Sequence, residues 1–133
     1  MKEAAEHALE FLLAFDGHVH WLDQGYRVKF EIKRVEPTQE RPHGLRYSFT
    51  LHDPDGTRLV GFDNAHTVAP AGSRFRERPA AADHWHRTET DEGRPYAFSA
   101  DTLLADFFRE VSRVLAERGI SDAVMRIEDR RAP

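Results

Sequence analysis

The 133-residue sequence predicts an α+β domain: an N-terminal helix, an antiparallel meander of four to five strands, and a long C-terminal amphipathic helix packed on the sheet. Three observations predict it. Apolar residues recur at helical spacing near both ends of the chain. Two central stretches alternate apolar and polar residues with period two. A Pro-Asp-Gly turn then separates the second of these stretches from a third strand-like run.

Glu3 to Phe15 places Ala5, Ala8, Leu9 and Leu12 on one helical stripe, and Phe11, Leu13 and Phe15 widen it enough to suit a partner as well. Asp16-Gly17 ends that pattern. His18 to Leu22 reads as a short strand, closed by a turn at Asp23-Gln24-Gly25. From Tyr26 to Val35, Tyr26, Val28, Phe30 and Ile32 alternate with Arg27, Lys29, Glu31 and Lys33, the pattern of a half-buried strand. Pro37 and Pro42 make Glu36 to Gly44 a loop. Leu45, Tyr47, Phe49 and Leu51 alternate again with Arg46, Ser48, Thr50 and His52.

In Asp53-Pro54-Asp55-Gly56, Pro54 sets φ and Gly56 can take a positive φ, so Arg58 to Asp63 is the returning strand of a hairpin. Thr67 to Ala82 is a long connection, of the kind associated with function or disorder. Asp83 to Glu89 reads as a further strand and Thr90 to Pro95 as a polar turn. Ser99 is the expected cap of a helix running to about Arg118, with Leu103, Leu104, Phe107, Phe108, Val111, Val114 and Leu115 on one stripe and Gly119 as its stop. Residues 119–133 are expected to be a frayed tail. There are no internal repeats, so residues 1–133 read as a single domain.

The absence of cysteine excludes a disulfide framework and a cysteine-ligated zinc site. No apolar run reaches the length of a membrane span, and Met1-Lys2-Glu3 lacks the opening of a signal peptide. The expectation is a soluble cytoplasmic protein with no membrane partner. A net charge of -4 argues against indiscriminate nucleic-acid binding. The charge is uneven, though: Arg27, Lys29, Lys33, Arg34, Arg74, Arg76, Arg78 and Arg87 make the middle basic and leave an anionic ligand open. The scattered glycines form no nucleotide-phosphate loop.

Gly61 to Arg87 concentrates the polar chemistry. His84 and His86 lie two apart on a strand and share a face, while Trp85 takes the other. Antiparallel pairing of the Arg58–Asp63 and Asp83–Glu89 strands would bring Asp63, Asn64 and His66 beside Asp83, His84 and His86. Two chemistries fit such a cluster. In one, histidines among His66, His84 and His86 act as general base and acid with Asp63 and Asn64, while Arg87 or one of Arg74, Arg76 and Arg78 clamps a phosphate. In the other, His84, His86 and His66 with Asp63 or Asp83 bind a divalent metal that activates water. Arg74, Arg76, Arg78 and Tyr96 are candidates for substrate binding.

Plainer readings stand beside these. A second His-x-His occurs at His18-Val19-His20, Asp63-Asn64 suits a turn, and Trp85 and Tyr96 suit the core. The loop arginines suit a solvated segment, and His7, His43 and His52 read as surface histidines.

Arg46-Tyr47-Ser48-Phe49-Thr50-Leu51, Gly61-Phe62-Asp63-Asn64-Ala65-His66, Asp83-His84-Trp85-His86-Arg87 and Arg94-Pro95-Tyr96-Ala97-Phe98 resemble the TumE family over roughly Tyr26 to Arg118. Its members are small toxins of bacterial and archaeal toxin–antitoxin pairs. The resemblance implies a toxin encoded beside a DNA-binding antitoxin, inhibiting growth through RNA cleavage. It also implies that Asp63, Asn64, His66, Asp83, His84, His86 and Tyr96 are the family's polar hallmark positions.

The leading expectation is therefore an endoribonuclease that needs no cofactor, with free or structured small RNA a better substrate than ribosome-bound mRNA. The alternatives are a non-catalytic module that occupies a cellular target and a metal-dependent phosphoesterase.

Overall fold

The computed structural model describes residues 2–39, 44–64, 83–86, 94–96 and 99–131, with backbone only for residues 2–5, 84, 94 and 95. Helix α1 (Lys2–Leu13) is followed by β1 (His18–Trp21), β2 (Arg27–Arg34), β3 (Leu45–His52), β4 (Arg58–Asp63), β5 (His84–His86) and β6 (Arg94–Pro95). Helix α2 (Leu103–Glu117) and β7 (Arg126–Asp129) complete the order. Among the described residues the strands form one seven-stranded sheet in the order β6-β5-β4-β3-β2-β1-β7, with every pairing antiparallel. The α+β class holds, and the meander is longer than the four or five strands expected.

Period-two alternation sends one aromatic ring from each of four strands to the same face. Phe30, Phe49, Phe62 and Trp85 are successive cross-strand partners on β2, β3, β4 and β5. Phe107 of α2 sits over this row, with ring centroids 5.9 Å from Phe30, 5.7 Å from Phe49 and 5.8 Å from Phe62. Phe15, just beyond α1, meets Phe30 at 5.1 Å, and Leu12 is fully buried. Both helices therefore bury their stripes on one side of the sheet, and no described helix covers the other.

Turn chemistry settles the strand connections. The Asp53–Gly56 turn forms as expected: Gly56 has φ 94°, its N–H donates to the Asp53 carbonyl, and Asp53 Oδ1 accepts the N–H groups of Asp55 and Thr57. Gly119, at φ 71°, ends α2 as expected. The start of α2 differs. Thr102 occupies the cap position, and Ser99 contributes its backbone carbonyl, which accepts the Leu103 N–H at 2.9 Å.

The expected frayed tail is corrected more substantially. Arg126–Asp129 is an edge strand paired with β1, flanked by bonds from Met125 N–H to Trp21 O and from Arg130 N–H to Gly17 O, both 2.8 Å. Arg-Ile-Glu-Asp carries no apolar alternation because the strand is exposed on both faces. It is held by backbone bonds and by the Trp21 indole donating to Glu128.

Asp16 ties the end of α1 to β2, accepting the Ile32 N–H at 3.0 Å and the Lys33 ammonium at 2.8 Å. Burial pushes its pKa up, but Lys33, the Ile32 N–H and Arg131 together hold it below the ordinary value. A carboxyl lowered in the folded state adds stability above its unfolded pKa, and that stability is lost as pH falls through the folded value. Asp16→Asn keeps an oxygen for Ile32 but removes the charge. With Lys33 68% exposed, the expected cost is about 0.5–1 kcal/mol at neutral pH, fading toward zero in acid. Urea midpoints measured across the acid range check this, and a gap that stayed constant with pH would refute it.

Candidate functional site

Strands β4 and β5 pair antiparallel, with Gly61 opposite His86, Phe62 opposite Trp85 and Asp63 opposite His84. Because facing residues share a side, Gly61, Asp63, His84 and His86 belong to the face without a described helix, beside Ser48 and Thr50 of β3. Phe62, Asn64, Asp83 and Trp85 belong to the helix side. Alternation thus divides the expected cluster.

On the helix-free face, His86 Nε2 lies 3.8 Å from Asp63 Oδ2, within ion-pair range and beyond a direct hydrogen bond. The two residues are 9% and 2% exposed, so this contact is shielded from bulk water and its electrostatics are strengthened. The space that a side chain at Gly61 would take, opposite His86, is filled by Arg58 and the Thr50 methyl. A Cβ there would stand 3.2 Å from Arg58 Cδ, which places the Arg58 stem across Gly61 on the Asp63 side.

In the sequence, Arg58 reads as an ordinary residue of the returning strand. Plain alternation would put it with Val60 and Phe62 on the helix side. The register shifts at Leu51/His52, so that His52 faces Arg58 while Leu51 faces Val60. Leu59 is therefore a bulge, and Arg58 changes face.

On the helix side, Asn64 is fully buried and its amide extends the β3–β4 ladder. Oδ1 accepts the Tyr47 N–H at 2.9 Å, Nδ2 donates to the Leu45 carbonyl at 2.9 Å, and the Asn64 N–H reaches the Tyr47 carbonyl at 3.2 Å. The Tyr47 hydroxyl donates to Asp83 Oδ1 at 2.7 Å, bracing the start of β5 against β3. Burial, then the Asp83 charge, pushes the Tyr47 pKa far up, so its hydroxyl stays protonated as a donor. Tyr96 packs edge-on against Phe62 at 5.1 Å, its N–H bonds the Asp83 carbonyl, and its hydroxyl donates to Asp106 at 2.6 Å. Burial and that bond raise the Tyr96 pKa as well. Asn64, Asp83 and Tyr96 thus hold the ends of β4 and β5 together on the side away from His86.

His66, Arg74, Arg76, Arg78 and Arg87 lie outside the described residues, as does the side chain of His84. Among the described residues no three His, Asp or Glu side chains form a group suited to a metal ion. His52, read as a surface histidine, is half-buried between the Gly56 carbonyl and the Thr50 hydroxyl, and burial lowers its pKa. The helix-free face also carries Lys29 and Lys33 of β2 and Arg46 of β3. A cleft of about 550 Å³ opens there, lined by Lys33, Arg46, Ser48, Arg130 and Arg131 together with Asp16 and Glu31. Ser48 is the cross-strand partner of Asp63, so the cleft adjoins the Asp63–His86 pair.

No described helix is long and apolar enough to cross a membrane. A family model described as Toxin TumE matches residues 13–115, and the chain belongs to that family. It is accordingly a toxin component, whose counterpart is an antitoxin. No curated protein and no solved structure gives a significant match to the chain.

Proposed function

For a member of this toxin family, we propose an endoribonuclease that cuts RNA by histidine acid–base chemistry. The observation that carries the reading is Asp63 shielded beside His86 on the helix-free face, with His84 directly opposite it in the register. A carboxylate beside an imidazole orients it and stabilises its protonated form. Histidine suits proton transfer near neutral pH. One histidine takes the proton of an RNA 2′-hydroxyl, the 2′-oxygen bonds to phosphorus, the bond from phosphorus to the 5′-oxygen breaks, and the other histidine protonates that leaving oxygen. The products carry a 2′,3′-cyclic phosphate and a 5′-hydroxyl.

Lys33, Arg46 and the neighbouring cations are suited to flanking phosphates, and Arg58 to the charge that develops at the reacting phosphorus. The site works in the cytoplasm, and its counterpart is a DNA-binding antitoxin. The metal-dependent alternative would use His84, His86 and Asp83 as ligands. Register sets Asp83 on the opposite side of β5 from both histidines, so of the two candidate carboxylates Asp63 is the one that shares their face.

Purified chain incubated with labelled RNA in excess EDTA tests this. Cleavage with cyclic-phosphate ends is the expected result. Cleavage that stops in EDTA and returns with added magnesium or manganese would replace the mechanism with the metal-dependent one. RNA left intact in every condition would leave the non-catalytic binding module.

A further inference from the structure

The outer edge of β7 carries a second surface. The Arg130 N–H bonds the Gly17 carbonyl of the strand side, so alternation directs the backbone groups of Arg126, Glu128 and Arg130 inward to β1. The N–H and C=O groups of Ile127 and Asp129 then point away from the sheet, where no described element pairs with them. Edge strands of this kind invite pairing with another chain. Val124, Met125 and Ile127 are exposed by 47%, 67% and 58%, and they make up three of the four exposed large apolar side chains among the described residues.

We propose that β7 pairs antiparallel with β7 of a second copy of this chain, about a twofold axis through Ile127. Three registers can be compared. Centred on Glu128, two carboxylates would face each other. Centred on Arg126, two guanidinium groups would. Centred on Ile127, the two isoleucines meet on the helix side, and Arg126 of each copy faces Glu128 of the other on the polar side. This register also makes the central pair a hydrogen-bonded one, which the outward N–H and C=O of Ile127 require. The surface is self-complementary, as a twofold interface must be. The pairing joins the two sheets into one, with both polar faces on the same side.

The chain has no cysteine, which makes the test direct. A hydrogen-bonded antiparallel pair places its Cα atoms about 5.5 Å apart, within disulfide range. Ile127→Cys is expected to cross-link into a covalent dimer under mild oxidation, whereas Glu128→Cys is not. Sedimentation of the unmodified full chain is expected to show a species of twice 15.3 kDa. Arg126→Glu or Glu128→Arg alone should shift it to monomer, and the combined Arg126→Glu/Glu128→Arg variant should restore the dimer.

A wild-type monomer at all concentrations overturns the proposal. So does a dimer insensitive to both reversals, or equal cross-linking at positions 127 and 128. A monomer whose β7 edge is instead protected by added antitoxin would assign the edge to that partner and overturn self-pairing. None of these outcomes depends on whether the chain cleaves RNA.

Discussion

Replacing His86 by alanine is expected to lower RNA cleavage by about 100- to 10,000-fold and to abolish growth inhibition, with the protein still folded. The size follows from the loss of one general acid or base. The folding expectation follows from position. His86 lies on the helix-free face opposite Gly61, away from the row of Phe30, Phe49, Phe62 and Trp85 under Phe107. His84→Ala should behave alike, since the register sets it opposite Asp63. Asp63→Asn keeps the shape but removes the charge that orients His86, so kcat should fall while KM changes little. Cleavage assays with each variant, beside far-ultraviolet circular dichroism, check the set. A fully toxic His84→Ala/His86→Ala double variant would end the catalytic reading.

Asn64→Ala is expected to do the opposite: unfold the protein before it reveals any effect on chemistry. The amide serves a buried N–H from Tyr47 and a buried carbonyl from Leu45, and alanine removes both bonds. At about 1–3 kcal/mol for each buried bond removed, the loss is about 2–6 kcal/mol, a large share of a small domain's stability. Asn64→Asp should also destabilise, because an oxygen then replaces the donor facing the Leu45 carbonyl and lies near the Asp83 carboxylate. Urea unfolding measures both variants. An Asn64→Ala variant with wild-type stability and no cleavage would move Asn64 from the scaffold to the chemistry.

These contrasting expectations at neighbouring positions show what sequence pattern reveals. The alternation in β2 and β3 made both strands legible, because each buries one face and exposes the other. The Asp53–Gly56 turn and the α2 stripe were legible for equally local reasons. β7 was not, since an exposed edge strand has no buried face to shape its composition. The pairing of β4 with β5 followed from strand order, yet strand parity then put Asn64 and Asp83 on one side and Asp63, His84 and His86 on the other. A cluster inferred from proximity along the chain ignores which way each residue faces. Arg58 was missed because its side depends on a single extra residue, a feature of backbone register that leaves no compositional trace.

That extra residue, Leu59, has a consequence of its own. A bulge works as a phase shifter: everything upstream of it in the strand is turned over relative to everything downstream. Deleting Leu59 would place Arg58 directly before Val60 and still opposite His52, so the ladder would become regular with Arg58 on the same face, while Asp63 and Asn64 kept their partners on β3. The extra residue therefore lets this strand bury Leu59 in the core and still lay Arg58 beside Gly61, on the face of Asp63 and His86.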